Sequence, residues 1–524
     1  MKRLLPIGIQ DFVKIREDGY VYADKTAQIY RLISGSTGAA FLSRPRRFGK
    51  SLLCSTLKAV FEGRRELFGE IKGFPALAID SLEWEWRKRP VIRLDLNAGV
   101  YSGGVEKLHS ALSRELKREA GKQGIALDDD DCINQFATLI EKSCDNAGEK
   151  VVVIIDEYDK PMLGTMSEPS LHAKIREELK GFYGVLKSYD EYLRFVFLTG
   201  VTKFSHVSVF SDLNHLDDLT LDPEYADICG ITQEELETAF KPEIESVLKR
   251  SGKGREEYLD ELRRFYNGYR FSEDPLKVYN SFGLLKHFSK NGKFLSYWYD
   301  TGTPTFLVKL IASQKINILD LSNMQVGDDD FRNYDIENMK AEPLLYQSGY
   351  LTIKDYDEEF EFYTLDFPNV EVRSCFAKSL MEQYLQSSDE TTGGLNTRLS
   401  QALLKGDVED AINALRRFFA AIPYDIIRES ENYYETAVHL IFTMLGFNCR
   451  SEVRIAAGRI DTLVETRNFV FCFEFKLDKS ADEALAQIDR KEYLLPWTGS
   501  GKNLFKVGVS FDSAKRNIGE WKVG

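Results

Sequence analysis

Residues 39–51 read Ala-Ala-Phe-Leu-Ser-Arg-Pro-Arg-Arg-Phe-Gly-Lys-Ser, and this stretch decides the fold of the first part of the chain. A short apolar run ends in a basic loop, and Gly49-Lys50-Ser51 leads into a segment with helical spacing of apolar residues. A loop between a strand and a helix presents backbone N–H groups and the positive end of the helix dipole to an anion. The layout therefore predicts a phosphate-binding loop, in which Lys50 reaches the outer phosphates and Ser51 binds Mg²⁺.

One position of this loop departs from the pattern G-x-x-x-x-G-K-[ST], because residue 44 is arginine where the pattern has glycine. We expect Arg46, Arg47, Phe48 and Gly49 to line the nucleotide site together with Lys50 and Ser51. The guanidinium groups of Arg44, Arg46 and Arg47 either neutralise phosphate charge or form a docking patch, and their closeness to the phosphates favours the first interpretation.

Two further segments support a nucleotide site. The apolar run 151–155 is followed by Asp156 and Glu157, and such a run indicates a strand buried on both faces of a parallel sheet. Its acids then lie at the carboxyl edge of the sheet, where we expect Asp156 to bind Mg²⁺ and Glu157 to polarise the attacking water. A third strand, 195–198, ends in Thr199, which we expect at the same edge. A buried strand with a solvated acidic end beside a basic surface loop explains each segment alone, but their order together favours ATP binding.

Composition limits the class of protein. The 524 residues are 43% hydrophobic and 29% charged, with a net charge of −13, which lowers the expectation of DNA binding but leaves local basic patches open. The cysteines are odd in number, seven, and form no C-x-x-C pair, so we expect reduced thiols in a cytoplasmic protein. No run approaches the roughly 20 apolar residues of a membrane helix.

The order of the segments predicts three domains. Residues 1–228 alternate strands and helices, which predicts a parallel α/β sheet covered on both faces. Residues 229–386 are expected to be helix-rich and to contain a winged-helix-like hairpin around 344–365; its acidic turn favours a structural lid over a DNA reader. Residues 387–394 are small and polar and are interpreted as a linker, and 395–524 as a second α/β domain.

This last domain contains a predicted hairpin with a second set of charged residues. A turn centred on Arg467-Asn468 pairs residues whose numbers sum to 935, so Asp461 faces Glu474. Directly opposed residues have Cβ atoms about 5 Å apart, so the two carboxylates converge. On a half-buried sheet they repel unless a cation lies between them, and their oxygens suit Mg²⁺ or Mn²⁺. Lys476 lies on the same face and can act on a water that attacks a phosphodiester. The alternative is a surface hairpin with a cross-strand ion pair, but the apolar strands make a solvated face the weaker interpretation.

The chain resembles, nearly end to end, bacterial and archaeal predicted AAA-ATPase-like proteins that carry a C-terminal PD-(D/E)xK nuclease domain. The segments that carry the resemblance are short and occur in the same order. They are Tyr22-Ala23-Asp24-Lys25-Thr26, the loop 44–51 with its Arg44, Asp156-Glu157-Tyr158-Asp159, Leu198-Thr199-Gly200-Val201, Tyr266-Asn267-Gly268-Tyr269-Arg270-Phe271 and Gln347-Ser348-Gly349-Tyr350-Leu351.

The resemblance implies an α/β fold with a P-loop NTPase sheet, a helical and winged-helix-like middle region and a restriction-endonuclease-like C-terminal domain. It also implies Glu435 as a helix-borne acid, Asp461 as the central metal ligand, Glu474 with Lys476 as the E-x-K pair, and Gln487 on the following helix. We add the carbonyl of Phe475 as an expected third ligand.

The expected function is ATP hydrolysis coupled to metal-dependent cleavage of nucleic acid. Expected partners are a nucleotide, nucleic acid with DNA favoured over RNA, and a second copy of the chain, with no membrane. The alternative is an ATP-dependent signalling or scaffolding switch whose nuclease-like domain binds nucleic acid or a partner without cutting.

Overall fold

The computed structural model of the protein describes residues 3–35, 38–166, 168–203, 216–299, 307–308, 310–311, 314, 316, 318–328, 331, 340–385, 389–422, 431–445, 448–455 and 458–524. The chain divides into two compact units: the first comprises Met1–Trp298 and Met324–Asn369, and the second Tyr299–Asn323 and Val370–Gly524. Segments of the region 229–386 thus belong to both units, and the expected division into three domains stays a prediction.

The first unit contains twenty of the helices and strands. In chain order they are α1 (Phe12–Asp18), α2 (Thr26–Ser34), β1 (Ala39–Ser43), α3 (Lys50–Phe61), β2 (Val91–Asp95), α4 (Val105–Lys122), α5 (Cys132–Ala147), β3 (Val151–Asp156), α6 (Lys160–Leu163), α7 (Pro169–Ser188), β4 (Leu193–Gly200), β5 (Leu216–Asp218), α8 (Gln233–Ala239), α9 (Lys241–Ser251), α10 (Arg255–Tyr266), α11 (Ser281–Ser289), β6 (Met324–Gly327), α12 (Ala341–Gln347), β7 (Thr352–Asp357) and β8 (Phe362–Asp366).

The main sheet of this unit is parallel, in the order β2-β3-β4-β1-β5, which confirms the parallel α/β sheet predicted from the sequence. Strands β1 and β3 are buried along their whole length. This burial explains their continuous apolar runs, since helices cover both faces of a parallel sheet. Because β4 lies between β1 and β3, the carboxyl ends of all three strands meet at one edge, and this edge carries the phosphate loop.

The helices after β5 pack into a separate apolar cluster. Helix α8 begins with the capping box expected from its sequence, in which Thr232 and Glu235 satisfy each other's backbone N–H groups. Buried side chains of α8 to α11, including Leu236, Ile244, Leu262 and Phe288, form the cluster. It holds these four helices together as one body beside the phosphate loop.

The winged-helix-like region contains the predicted helix α12 and hairpin β7–β8, whose turn is acidic and exposed. The structure adds a strand that the sequence analysis missed, since β6 pairs with β8 to give the antiparallel order β6-β8-β7. Strand β6 has only four residues, with alternating burial, and so short a run carries a weak sequence signal.

The second unit contains ten of the helices and strands. They are α13 (Val370–Leu385), α14 (Asp389–Lys405), α15 (Val408–Ala421), α16 (Glu431–Met444), β9 (Asn448–Ile455), β10 (Gly458–Glu465), β11 (Phe469–Leu477), α17 (Ala481–Arg490), β12 (Asn503–Asp512) and β13 (Asn517–Val523).

Its sheet has the order β13-β12-β11-β10-β9, and only the pair β11–β12, which α17 connects, is parallel. The phenylalanines of β11 form a row on one face, with ring centroids of Phe471 and Phe473 6.3 Å apart, and Phe473 packs on Phe442 of α16. Val470 and Cys472 face the other way and pack with Ile488 of α17. The sheet is therefore covered on both faces, as its apolar strands require.

The prediction of a linker at residues 387–394 is wrong for residues 389–394, because helix α14 begins at Asp389. The small polar residues 391–394 have low helix propensity, but the rest of α14 carries Leu395, Leu399 and Leu403, all buried against α15. Packing of an amphipathic face stabilises a helix more than propensity does, so the helix extends through the polar stretch.

Candidate functional site

The phosphate loop connects β1 to α3 at the carboxyl edge of the main sheet. Gly49 precedes the helix with φ +97°, a backbone conformation that residues with a Cβ rarely adopt, and Arg47 also has a positive φ, 68°. Two such residues within the loop turn the chain sharply into α3. As a result, the first N–H groups of α3 lie at the open side of the sheet edge.

Lys50 is buried and its ammonium group turns back over the loop. Its Nζ donates to the carbonyl oxygens of Arg44 at 3.0 Å and Pro45 at 3.3 Å. It also lies 3.8 Å from a carboxylate oxygen of Glu157, which follows β3. The lysine and the acid that the sequence predicted at one site are thus brought together.

Asp156 ends β3 and is completely buried. Burial raises the pKa of its carboxyl to about 6, Ser51 acts in the opposite direction, and the charge of Glu157 adds to the rise. Within the described part of the chain, neither carboxylate oxygen makes a hydrogen bond of normal geometry. The Arg93 guanidinium lies 3.8 Å from one of these oxygens. A buried acid beside a serine hydroxyl fits the donor set of a Mg²⁺ site.

The three arginines of the loop have different surroundings. Arg44 is fully buried and donates to the carbonyl oxygens of three residues: Ser43 at 2.8 Å, Thr220 at 2.9 Å and Tyr225 at 3.0 Å. The expectation that Arg44 faces phosphate is therefore wrong. Arg46 and Arg47 are exposed, and the Arg47 guanidinium lies 4.9 Å from the ring centre of Phe282.

Phe48 and Thr199 have side chains engaged within the fold. The Phe48 ring is buried, with its centre 4.7 Å from that of Tyr269 and 5.3 Å from that of Phe271. The Thr199 hydroxyl donates to the carbonyl of Leu42 at 2.7 Å and joins β4 to β1. Both side chains are therefore engaged within the fold, and the expected part of these two residues in nucleotide binding stays a prediction.

Asp159 is a site residue that sequence reasoning missed. One of its oxygens accepts from the backbone N–H of Val201 at 3.0 Å and from the N–H and hydroxyl of Thr202 at 2.7 Å each. Burial raises the pKa of Asp159 to about 6, with Glu157 adding to the rise and the Thr202 bonds opposing it. Asp159 fixes the end of β4 to the loop that carries Glu157. The signal was present in the sequence, since the run 156–159 contains a third acid.

The second site lies on the hairpin β10–β11. The strands pair Thr462 with Phe473 and Leu463 with Cys472, which confirms the predicted register. Extended by one position, this register places Asp461 opposite Glu474. An oxygen of Asp461 accepts from the backbone N–H of Phe475 at 2.9 Å. This hydrogen bond ties the Asp461 side chain to the residue that follows Glu474 in β11.

Glu474 is completely buried, and the ammonium group of Lys476 lies against it. The lysine Nζ is 3.0 Å from Glu474 Oε1 and 2.9 Å from the carbonyl oxygen of Phe475. These two oxygens are expected metal ligands, so a cationic group lies where the sequence predicts a cation. Carboxylate and carbonyl oxygens are the donors that Mg²⁺ and Mn²⁺ prefer.

Gln487 of α17 lies on the same face of the sheet as the two acids, and its amide donates to the Tyr493 hydroxyl at 3.4 Å. The pKa of Tyr493 is raised by burial and by the charges of Glu474 and Asp461, and is lowered by Gln487. Glu435 belongs to α16, but its side chain lies outside the described residues. Among the residues that the structure describes, no three or more His, Cys, Asp or Glu side chains lie close enough together to hold a metal ion.

Two segments of the chain match known protein families. Residues 6–210 match a family model described as "Predicted AAA-ATPase", and residues 429–521 match one described as "PD-(D/E)XK nuclease superfamily". A protein of Azotobacter chroococcum mcd 1, named "Uncharacterized protein in vnfD 5'region", is 35% identical over 531 residues, which cover 99% of this chain and 98% of that protein. The chain belongs to this family of predicted AAA-ATPases with a C-terminal PD-(D/E)XK domain.

Both candidate sites of this predicted AAA-ATPase fall inside the matched segments. The first segment contains the phosphate loop, Asp156, Glu157 and Thr199, and the second contains Glu435 through Gln487. The similar protein is itself uncharacterized and adds no activity. In the part of the chain that the structure describes, no helix has the length and apolar character needed to cross a membrane.

Proposed function

We propose that this predicted AAA-ATPase binds and hydrolyses ATP at the phosphate loop and cleaves phosphodiester bonds of nucleic acid in its C-terminal domain. The convergence of Lys50, Asp156 and Glu157 at one sheet edge carries the first half of this proposal. The cross-strand pair Asp461 and Glu474, with Lys476 against it, carries the second.

At the loop, the start of α3 and Lys50 bind the negative charge of the phosphates. Ser51 and Asp156 would hold the Mg²⁺ that accompanies ATP. Glu157 accepts a proton from the water that attacks the terminal phosphate, and Lys50 balances charge on the transferred group.

A cavity beside the loop supports a nucleotide as the ligand. It has a volume of about 80 Å³ and adjoins Gly49, with mostly apolar walls that include Tyr22, Leu53, Cys229 and Ile231. An apolar cavity next to a phosphate site suits the flat face of a nucleobase. Lys25 also lines it, and its ammonium group pairs with the carboxylate of Glu235 at 2.6 Å.

In the C-terminal domain, Asp461, Glu474 and the Phe475 carbonyl would hold Mg²⁺ or Mn²⁺, which when bound supplies positive charge to the scissile phosphate and acidifies a water. The chain's own contribution is that of Lys476, whose ammonium group orients the water and stabilises charge on the transition state. Gln487 of α17, whose amide donates to the Tyr493 hydroxyl at 3.4 Å, would complete this set of residues.

Cleavage of a nucleic-acid panel tests the nuclease half. The purified full chain is incubated with single- and double-stranded DNA and with RNA, in Mg²⁺, Mn²⁺ or EDTA, with and without ATP. We expect metal-dependent cleavage that Asp461→Ala abolishes and Asp482→Ala leaves intact, since Asp482 lies on the exposed side of α17 and pairs with Lys522. Binding without cleavage under every condition would overturn the nuclease assignment and support the scaffolding alternative.

A further inference from the structure

Three successive carbonyl oxygens of the phosphate loop accept hydrogen bonds from groups outside the loop. The donors belong to the helical region that follows the main sheet. They are the Trp298 indole, which donates to Arg46 at 3.0 Å, the Asn280 amide, which donates to Arg47 at 3.4 Å, and the Gly230 N–H, which donates to Phe48 at 3.0 Å.

The loop needs such support because its backbone is strained. Arg47 has φ 68°, and a residue with a side chain is held in that region only when its surroundings determine the conformation. A phosphate loop with glycine there avoids the cost, but between residues 44 and 49 this chain has glycine only at position 49. The conformation of Arg47 must therefore be imposed by its neighbours.

Both side-chain donors are themselves fixed. Asn280 is buried and is the N-terminal cap of α11. Its amide oxygen, Oδ1, accepts a hydrogen bond from the N–H of Gly283 at 3.0 Å. Trp298 is buried with its ring 5.4 Å from that of Tyr350. The side chain of each donor is thus fixed by a second contact while it donates to a loop carbonyl.

In a trans peptide unit the C=O and the following N–H point in opposite directions. Holding the carbonyls of Arg46, Arg47 and Phe48 outward therefore directs the N–H groups of residues 47, 48 and 49 to the opposite side. Consecutive N–H groups that converge in this way form an anion-binding concavity.

We propose that Trp298 and Asn280 are positioning residues for phosphate binding, which preorganise a strained, glycine-poor loop by holding its carbonyls. This inference rests on the proposed binding of ATP at the loop. It makes nucleotide affinity depend on the helical region, because a displacement of that region frees the carbonyls and lets the loop relax.

The Trp298→Phe variant tests the role of the indole N–H, since phenylalanine keeps an aromatic ring and removes the donor. The matched control is Trp84→Phe, because the indole nitrogen of Trp84 has no hydrogen-bond partner within the described residues. We expect Trp298→Phe to weaken ATP binding by about three- to tenfold in calorimetry, the value of one hydrogen bond, and Trp84→Phe to leave it unchanged.

A double-mutant cycle separates positioning from general loss of structure. In an Arg47→Gly background the strain is absent, so we expect Trp298→Phe to change ATP affinity by less than about twofold. Asn280→Ser, which keeps a helix cap but is too short to reach the loop, provides a second variant with the same expected pattern.

The inference is overturned if Trp298→Phe and Asn280→Ser bind ATP as the Trp84→Phe control does, or if their losses are equal in both backgrounds. If the Trp298→Phe variant does not fold, the ATP affinity of the Asn280→Ser variant decides between these outcomes. If the wild-type chain does not bind ATP, the proposed function itself fails, and this result is distinct from a wild type that binds while the variants match the control.

Discussion

The ammonium nitrogen of Lys50 lies 3.8 Å from a carboxylate oxygen of Glu157. Lys50 begins α3 and Glu157 follows β3, and the two strands that lead to them are separated by β4. The contact shows that the phosphate loop and the acidic end of β3 face the same point of the sheet edge. An anion bound at the loop would therefore lie within reach of Glu157.

Replacement of Lys50 by alanine tests the phosphate loop. We expect Lys50→Ala to weaken ATP binding by about 100-fold or more in calorimetry, because a charged hydrogen-bond donor to the phosphates is lost. Lys58→Ala is the matched control, since Lys58 lies on the same helix and pairs with Glu62 at 3.6 Å on its surface. Normal ATP binding by Lys50→Ala would contradict the assignment of the loop.

Glu157→Gln separates ATP binding from hydrolysis. The amide keeps the shape of the side chain but accepts a proton poorly, so we expect phosphate release to fall by about 100-fold or more while ATP affinity is retained. Phosphate release and calorimetry are measured on the same preparation. Unchanged turnover would remove Glu157 from its proposed role.

Alanine variants of Asp461 and Lys476 are expected to differ in Mn²⁺ binding. Asp461→Ala should abolish Mn²⁺ binding in calorimetry together with cleavage. Lys476→Ala should keep Mn²⁺ binding, because the lysine contacts two expected ligand oxygens without itself being a ligand, but should slow cleavage by about 100-fold. Lys479→Ala, an exposed lysine nearby, is the control. Loss of Mn²⁺ binding in Lys476→Ala would contradict this division of roles.

Asp159 should make the first unit less stable as the pH rises. Its folded-state pKa, about 6, lies above the ordinary aspartate pKa of about 3.8, so the native state holds the proton more tightly than the unfolded state. Stability from this group is present below about pH 4 and is lost as the pH rises through 6, by up to about 3 kcal/mol. The free energy of unfolding of metal-free protein is measured in urea for wild type and Asp159→Asn at pH 4 and pH 7.5. The difference, variant minus wild type, should be more positive at pH 7.5 than at pH 4. An equal difference at both pH values would argue against the raised pKa.

Gly349 is expected to tolerate no side chain, because a Cβ there would lie 2.7 Å from Pro45 of the phosphate loop and φ is +87°. Gly349→Ala should lower the free energy of unfolding by about 2–3 kcal/mol, the sum of backbone strain and a steric clash. The control, Gly252→Ala, has φ +69° but open space around it, and should cost about 1 kcal/mol. Equal losses in urea unfolding would show that Pro45 yields to the added methyl group.

The local sequence pattern was sufficient to predict those elements whose structure depends on neighbouring residues alone. The strand β3 followed from a continuous apolar run, and the β10–β11 register followed from the turn at Arg467-Asn468 and a period of two. The two candidate sites are built on these elements, so their approximate positions were predictable.

Features that depend on distant segments were not predictable. Arg44 is buried because carbonyl oxygens of Thr220 and Tyr225, far along the chain, surround its guanidinium. Helix α14 extends through residues 391–394 because of packing against α15. In each case tertiary structure overrides the local preference, and a single sequence does not report which segments will meet.

The division of the chain into units has a consequence for how such a protein is cut or assembled. The second unit includes Tyr299–Asn323, whose one-turn helix Ile318–Leu321 lies against α16, although this segment precedes part of the first unit in the chain. Truncation before Val370 would therefore leave a fragment carrying an orphaned piece of the missing unit, with the buried side chain of Leu321 exposed. A second unit interleaved with the first along the chain cannot be removed by cutting the chain at one position.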